Sequence, residues 1–462
     1  MNETVQSSGS ADVNHSQFTL LRKRRFWPLF ITQFFGAFND NAYKQMLLML
    51  CVFGGASWTT LELDRLGIAP EVFPPIAAGL FILPFFLFSA TAGQLADKFD
   101  KAGLARASKA LEIFIILLAG FGFWQHSLPV LLTSLFLLGL QSTLFGPVKY
   151  AILPQHLRPR ELVGGNALVE AGTFIAILLG MLTGGLLIKF ENGVVWIIGI
   201  CLAVALGGFL ASCRIPAAPA PAPELKLALN PLAETWHCIG FAREEKSVFQ
   251  SILGISWFWF YGSLLLTQFP DYVKKEFNAD ESLVTMMLVV FSVGIGAGSL
   301  FCEKLTRRRG KPVEPGLVPI GGLGMLIFGI DLAFASPGAS ASAVLPLGEL
   351  LREGATWRVL FDLLLLGIFG GIYCVPFYAL VQQRSSAEHR ARIIAANNIL
   401  NSLFMVVAAL GAALFLREGY GIPTLFLLVA GLHAMVTAYI FSIVPEFLIR
   451  ALVWLGWRRE NT

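Results

Sequence analysis

The segment FWPLFITQFFGAFNDNAYKQMLLMLCVF occupies residues 26–53 and decides the class of this protein. It is long enough to cross a bilayer as one helix, because about 20 apolar residues span the hydrocarbon core. Asn39, Asp40 and Asn41 nevertheless stand side by side at its centre, with Lys44 one turn later. A charged side chain there costs about 2.5–3.5 kcal/mol on insertion scales, so this cluster must face protein or a polar cavity.

Composition extends this interpretation to the whole chain. Of 462 residues, 56% are hydrophobic and 14% are charged, and the mean hydropathy is +0.69. Soluble domains carry about 25% charged residues, so we expect an all-α integral membrane protein. Apolar stretches of about 20 residues predict twelve transmembrane helices at 26–53, 71–96, 104–125, 128–155, 163–189, 193–213, 248–270, 281–303, 316–336, 356–383, 391–416 and 422–445.

The basic residues indicate how these helices are oriented. When both termini are placed in the cytoplasm, most Lys and Arg residues fall on the cytoplasmic side, as the positive-inside rule requires. They belong to the stretches 22–25, 98–109, 158–160, 214–246, 304–311, 384–392 and 450–459. The net charge of +4 therefore reflects membrane topology, and we expect no nucleic-acid partner.

Motifs for metal binding and catalysis are missing from the sequence. The six cysteines are scattered without CxxC or CxxxH spacing, which argues against a metal site or a disulfide framework. No GxGxxG, Walker, HExxH or HxxxxD motif occurs. We therefore expect no cofactor and do not expect an enzyme.

A Pro/Ala-rich linker divides the chain into two halves of six helices. Residues 215–224, IPAAPAPAPE, are typical of a semi-extended connector. Residues 230–246 predict either a surface helix with Trp236 and Phe241 toward the lipid or an ordinary structured linker. The expected organisation is an N-terminal segment 1–25, a bundle 26–214, the linker 215–247, a bundle 248–445 and a tail 446–462.

Two matches between the halves suggest parallel internal repeats. LGLQSTLFGPVKYAILPQ at 138–155 aligns with LGIFGGIYCVPFYALVQQ at 366–383, and NALVE at 166–170 aligns with NNILN at 397–401. Either match alone is weak, because apolar helices resemble one another by chance. Their similar places in the two halves favour a duplicated six-helix unit.

The loop GQLADKFDKAGLARASK at 93–109 resembles the signature loop of the major facilitator superfamily. In that signature the glycine lets two helices approach closely, and the acidic and basic residues form a cytoplasmic charge cluster that breaks when the halves rock. The resemblance implies a gating role for Gly93, Asp97, Lys98 and Arg106. The alternative is that Asp97 and Lys98 are solvated helix ends.

Three further segments resemble the bacterial lysophospholipid transporter family, a branch of that superfamily. They are QFFGAFNDNAYK at 33–44, FGPVKYAILPQ at 145–155 and NALVEAGTFIAILLG at 166–180. The resemblance implies a major facilitator fold that moves lysophospholipids, chiefly lysophosphatidylethanolamine, from the outer to the inner leaflet of the bacterial inner membrane. It also implies reacylation by an acyltransferase/acyl-carrier-protein synthetase on the cytoplasmic side, and we expect the transporter to be a monomer among membrane lipids.

In this fold the first, fourth, seventh and tenth helices line a cavity, and Asp40 and Lys149 lie on two of them. We expect Lys149 to hold the substrate phosphate as a point charge and Asp40 to receive its ammonium group. The alternatives are a fixed interhelical ion pair or an i,i+4 contact of Asp40 with Lys44. A rise of 1.5 Å per residue places Lys149 nearer in depth to Glu170, so we expect Lys149 to exchange between Glu170 and phosphate. The predicted site also includes Asn39, Asn41, Gln141 and Tyr150.

The second half offers aromatic and amide side chains for the rest of the substrate. Trp257 and Tyr261 lie on the aromatic seventh helix, and we expect them to line the acyl-chain side of the cavity. Asn398 and Asn401 on the eleventh helix are candidates for head-group oxygens. Helix packing is the alternative for each of them.

The expected mechanism is alternating access, in which the two halves rock around the cavity. A competing function is proton-coupled export of amphiphilic drugs, with Asp40 or Glu170 as the proton carrier. A third is a membrane anchor that docks an acyltransferase.

Overall fold

The computed structural model describes residues 16–52, 57–69, 73–188, 190–228, 230–307, 312–338 and 345–457. The expected segment 1–25 is thus described from position 16, the tail up to position 457, and the basic positions 308–311 lie outside the described residues. Twelve long helices, α1–α12, span Trp27–Val52, Phe73–Lys98, Lys101–Trp124, Leu128–His156, Leu162–Leu187, Gly193–Ser212, Lys246–Tyr272, Glu281–Arg307, Leu317–Phe334, Gly354–Arg384, Arg390–Arg417 and Ile422–Ile443.

These helices confirm the twelve predicted spans, with ends that differ by a few residues. Eleven of them are long and apolar enough to cross a membrane, by length and composition. The remaining long helix is α1, which has 26 residues but carries the polar cluster around Asp40. In the described part of the chain the only strand-like feature is an isolated bridge between Ala279 and Leu345. The fold is therefore all-α, as expected.

The helices pack in two similar groups of six. In the first group α1 packs on α5, α2 on α4, and α3 on α6. Each pair has its counterpart in the second group, where α7 packs on α11, α8 on α10, and α9 on α12. The groups meet mainly along α2–α11 and α5–α8, an arrangement that agrees with the repeat seen in the sequence.

Charged residues from several loops join at one end of the molecule, which we call the basic end. Arg25 donates to both carboxylate oxygens of Glu161, at 2.7 and 2.6 Å. Arg384 donates to Glu446, the first residue of a short tail helix Glu446–Trp454, at 2.9 and 2.7 Å. These ion pairs tie the chain before α1 to the α4–α5 loop, and the tail helix to α10.

The linker is docked against the basic end. The backbone N–H of Ala218 donates to Asp100 at 2.8 Å, and its carbonyl accepts from the N–H of Lys101 at 3.0 Å. Farther on, a linker helix Pro231–Glu244 packs on α2 and α11. Trp236 is 69% exposed, but Phe241 stacks on His389 with ring centroids 4.1 Å apart. The expected orientation of Phe241 toward lipid is therefore wrong, because its ring packs on the second bundle.

Candidate functional site

One face of α4 carries the polar part of the candidate site. Ser142, Gly146 and Lys149 share this face through their i,i+4 and i,i+3 spacing, and all three are partly exposed. Ser142 Oγ donates to Asp40 Oδ2 at 2.5 Å. Asn398 Nδ2 of α11 lies 2.6 Å from the place that a Cβ on Gly146 would occupy. We call Asp40, Ser142, Gly146 and Lys149 the polar row, and Asn398 of the second half lies against it.

Lys149 is a membrane lysine without a fixed partner. Within the described residues it forms no hydrogen bond or ion pair, although its charge interacts with those of Glu170 and Asp40. Its Nζ lies 4.5 Å from the ring centroid of Tyr150. Glu170 instead accepts a hydrogen bond from Tyr150 Oη at 2.5 Å. The expected resting contact between Lys149 and Glu170 is thus not formed, because Tyr150 engages the carboxylate.

The alternative contact of Asp40 with Lys44 is not formed either. Asp40 is bonded to Ser142 on α4, whereas Lys44 Nζ lies 5.3 Å from the ring centroid of Phe81 on α2. Asp40 Oδ1 is buried without a partner in the part of the chain that the structure describes. One oxygen of the carboxylate is therefore unpaired in this conformation.

Four aromatic rings from both halves form a layer next to the polar row. Tyr150 of α4 stacks on Tyr378 of α10 with centroids 4.5 Å apart and an interplanar angle of 8°. Trp259 Nε1 of α7 donates to Tyr378 Oη at 3.2 Å, and its ring stacks on Phe174 of α5 at 6.0 Å. We call these four residues the aromatic layer. It joins two helices of each half, so the halves cannot separate here without breaking it.

A pair of amides joins the halves on the basic side of this layer. Asn166 Nδ2 of α5 donates to Gln382 Oε1 of α10 at 2.7 Å, and Gln382 Nε2 donates back to Asn166 Oδ1 at 2.9 Å. Both residues are 1% exposed or less. We call this pair the amide clasp; two buried reciprocal hydrogen bonds hold α5 and α10 in one register.

Asp97 joins α2 to the N-terminus of α11. It accepts from the backbone N–H groups of Ala391 and Arg392 at 3.1 and 3.3 Å, and from Arg392 Nε at 3.1 Å. A carboxylate is stabilised there by the unpaired N–H groups and the positive end of the helix dipole. A Cβ on Gly93 would lie only 2.8 Å from Ala395 Cβ, so glycine lets α2 and α11 approach more closely than a residue with a side chain would.

The other two expected gating residues lie at the edge of this contact. Lys98 Nζ lies 5.8 Å from the ring centroid of Phe99. Arg106 is 4.0 Å from Asp100, and both side chains are substantially exposed. Lys101, which sequence reasoning did not single out, is 2% exposed and interacts with the charge of Asp97. Gating by Lys98 and Arg106 stays a prediction.

Three expected substrate residues of the first half make contacts within their own bundle. Asn39 Nδ2 donates to Glu112 Oε1 at 2.7 Å. Asn41 Nδ2 donates to the carbonyl of Ala37, one turn back on α1, at 2.8 Å. Gln141 Nε2 donates to Ser108 Oγ on α3 at 2.8 Å. Each of the three amide nitrogens thus makes a contact inside the first bundle, and substrate contact by these residues stays a prediction.

The expected aromatic residues of α7 lie inside the second bundle. Trp257 Nε1 donates to His433 Nδ1 of α12 at 2.8 Å. Tyr261 packs edge-on against the same imidazole, with centroids 5.8 Å apart, and both aromatic residues are less than 5% exposed. Asn401 accepts from Ser256 Oγ at 2.8 Å. Trp259 and Phe258 are the α7 residues whose rings contact Phe174 of the first half, at 6.0 and 6.2 Å between centroids in the described part of the chain.

Sequence reasoning therefore assigned no site role to Trp259, for which helix packing was preferred, or to Arg392 and Gln382. Gln382 lies in the aligned repeat, next to the glutamine that was matched. Asn166 lies in a segment that carried the family resemblance, yet nothing in the sequence shows that its partner is on α10. No pattern separates Arg392 from the many other basic residues near helix ends.

Two six-helix repeats with a polar and aromatic site between them define a class of membrane transporter. The family model described as Major Facilitator Superfamily matches residues 29–409 and 270–451. The human organic anion transporter MFSD10 (TETRAN) has a TM-score of 0.65 and 13% identity, over 92% of this chain and 99% of that chain. FucP in the outward conformation has a TM-score of 0.64 and 13% identity, over 94% and 99%. These structures share the fold.

Proteins of similar sequence narrow the class of membrane transporter to which this chain belongs. The lysophospholipid transporter LplT of Enterobacter sp. (strain 638) is 30% identical over 76% of this chain and 78% of its own length. LplT of Yersinia enterocolitica is 29% identical, over 85% of this chain and 89% of the relative. LplT of Serratia proteamaculans is 27% identical, over 79% and 81%. The chain belongs to the Major Facilitator Superfamily and, within it, to the family of these lysophospholipid transporters.

Proposed function

We propose that this protein moves lysophospholipids, chiefly lysophosphatidylethanolamine, from the outer to the inner leaflet of the bacterial inner membrane for reacylation. The substrate class is supported by the relatives, which are named for lysophospholipid transport. The geometry supports an amphiphilic substrate, because a polar row on the first half adjoins the aromatic layer, which includes residues from α7 and α10 of the second half. A head group and an acyl chain need those two kinds of surface.

The observation that carries this proposal is Lys149, which is unpaired among the residues that the structure describes. A lysine embedded in a membrane helix is costly unless it has a partner, and here Lys149 is a partly exposed member of the polar row. A phosphate group supplies the missing negative charge. The free Oδ1 of Asp40 then receives the ammonium group of the same head group.

The described conformation is closed at the basic end by Asp97, the amide clasp and the aromatic layer. We propose that this end is cytoplasmic, as the distribution of Lys and Arg supports, and that both chain termini lie there. The conformation is then closed to the cytoplasm. Transport requires these contacts to break and the opposite end to close, by rocking of one half against the other. Gly93, Asp97, Lys98 and Arg106 form the gate in this proposal.

We further propose that the protein acts as a monomer and supplies an acyltransferase on the cytoplasmic side. Its relatives are transporters, so the chemical step belongs to that partner. Drug export coupled to protons is not favoured, because the relatives at 27–30% identity over most of the chain are lysophospholipid transporters.

Proteoliposomes test this proposal. The purified protein is reconstituted with fluorescent lysophosphatidylethanolamine, and its movement between leaflets is measured with and without a proton gradient. We expect movement without a gradient. Lys149→Ala and Asp40→Asn should each slow it about tenfold or more, since each removes a charge-assisted contact.

Lys246→Ala provides the matched control, because Lys246 is exposed at the start of α7. It should leave the rate unchanged. Failure of the unmodified protein to move the lysolipid, or movement only of drugs and only with a proton gradient, would contradict the proposal.

A further inference from the structure

Two adjacent asparagines of α11 have amide atoms without partners in the part of the chain that the structure describes. Asn397 and Asn398 are 1% and 8% exposed. Among the described residues, no hydrogen-bond partner is found for Nδ2 or Oδ1 of Asn397, or for Nδ2 of Asn398. Asn401, one turn later, is bonded to Ser256. Buried amides in proteins are almost always hydrogen-bonded, so the two unsatisfied side chains require another explanation.

Asn398 lies where the second half meets the polar row. Its Nδ2 is 2.6 Å from the position of a Cβ on Gly146, so the amide rests against the bare backbone of α4. Gly146 and Lys149 are three residues apart on the same helix face, a rise of about 4.5 Å. Asn397 is about 100° away around the helix, so it lies on a different side of α11. The position of Asn398 is therefore about one turn from the proposed phosphate site.

We propose that Asn398 binds the free glycerol hydroxyl of the lysophospholipid and so selects lipids with a single acyl chain. This inference rests on the proposed function. A lysophospholipid differs from a diacyl lipid by this hydroxyl, which is two carbons from the phosphate ester oxygen. An amide is neutral and can donate and accept, which matches a hydroxyl, whereas Lys149 matches the phosphate.

The same contact explains why a lipid without the hydroxyl is rejected. A site built to bond a hydroxyl discriminates strongly against an analogue that lacks it, because the buried polar group of the site is then left unpaired. A diacyl lipid carries an ester at this carbon, which can accept from Asn398 Nδ2 but cannot donate to Oδ1, so only the hydroxyl satisfies both ends of the amide. Gly146 contributes by leaving space, since a Cβ there would displace the Asn398 amide.

Two synthetic lipids test the inference in proteoliposomes. One is 1-acyl-lysophosphatidylethanolamine, and the other is its 2-deoxy analogue, in which hydrogen replaces the hydroxyl. We expect the unmodified protein to move the first about tenfold faster, the effect of one hydrogen bond. Asn398→Ala should reduce this ratio to near one, mainly by slowing the hydroxyl-bearing lipid.

Two further variants separate recognition from a structural effect. Gly146→Ala keeps the amide but displaces it, and should also lower the ratio. Asn401→Ala removes an amide bonded within its own bundle, so the ratio should remain about tenfold whatever happens to the absolute rates. Equal rates for the two lipids in the unmodified protein, or an unchanged ratio in Asn398→Ala, would overturn the inference. Movement of neither lipid would contradict the proposed function itself and the inference with it.

Discussion

Lys109 shows how single residues shape the first bundle. Its Nζ lies 2.5 Å from Glu112 Oε2, and both side chains are completely buried. A Cβ on Gly36 would lie 2.8 Å from this Nζ, so glycine at that position of α1 makes room for the ammonium group. Asn39 donates to the same carboxyl group. The buried pair therefore turns Asn39 away from the polar row.

Removal of one member of this pair should destabilise the protein strongly. Lys109→Met leaves Glu112 as an uncompensated buried charge, and such losses cost about 3–5 kcal/mol. We expect a large fall in the midpoint of thermal unfolding in detergent. The double variant Lys109→Met/Glu112→Leu should recover much of it, since no charge is then buried alone.

Arg65→Ala is the control for this prediction. Arg65 pairs with Glu62, but its side chain is 80% exposed, and exposed pairs contribute little. Its unfolding midpoint should stay near that of the unmodified protein. Equal midpoints for Lys109→Met and Arg65→Ala would show that the buried pair is not a stability determinant.

The sequence shows which aromatic residues α7 carries, but it does not show in which direction each side chain points. Trp257 and Trp259 are two positions apart, which places them about 200° apart around a helix. One bonds to His433 inside its bundle and the other to Tyr378 at the interface of the halves. An almost uniformly apolar helix gives no periodic pattern that distinguishes these two faces.

At the scale of elements, the linker helix connects the two halves. Arg392 of α11 bonds to Asp97 of α2, and its guanidinium carbon lies 4.7 Å from the ring centroid of Phe241 on the linker helix. Phe241 also stacks on His389. The linker helix thus covers the contact of α2 with α11, and should favour the conformation that is closed at the basic end.

Phe241→Ala should weaken this closure, and Cys238 on the same helix can report it. Cys238 is buried, and burial raises the pKa of its thiol. Few thiolates are therefore present at neutral pH, and labelling by maleimide should be slow. In a Cys213→Ser background, which removes the exposed cysteine, we expect Phe241→Ala to speed labelling of Cys238 several-fold.

Trp236→Ala is the matched control, because that side chain lies on the exposed face of the same helix. It should leave the labelling rate of Cys238 unchanged. Equal acceleration by both substitutions would indicate unfolding of the linker helix, and no acceleration by Phe241→Ala would show that the ring does not hold the closed conformation.

At the scale of the whole molecule, the repeats meet at related positions. Tyr150 and Tyr378 occupy corresponding places in the aligned segments 138–155 and 366–383, and their rings stack on each other. Such a contact is expected where two related elements approach a shared pseudo-symmetry axis. The alignment predicted the correspondence of the two tyrosines, but not their contact.

A covalent link between the halves should stop transport. The Cβ of a residue at position 93 would lie 2.8 Å from Ala395 Cβ, and a slight separation brings the pair to the roughly 3.8 Å typical of disulfides. We expect Gly93→Cys/Ala395→Cys to form a disulfide on oxidation and to lose lysolipid movement, which should return on reduction. The single variants should not respond to oxidation. Transport at the full rate by the oxidised double variant would show that α2 and α11 need not separate.

The sequence by itself determined the membrane class, the twelve spans, the repeat and the polar positions Asp40 and Lys149. The apolar length of a segment decides whether it can span the bilayer, and the distribution of Lys and Arg decides its orientation. Both are read directly from the sequence. Only the tertiary structure decided which groups meet: Asp40 with Ser142, Glu170 with Tyr150, Asp97 with the start of α11, and Asn398 with Gly146. Those contacts depend on the rotation and register of helices against one another, which packing sets and a nearly uniform apolar surface does not encode.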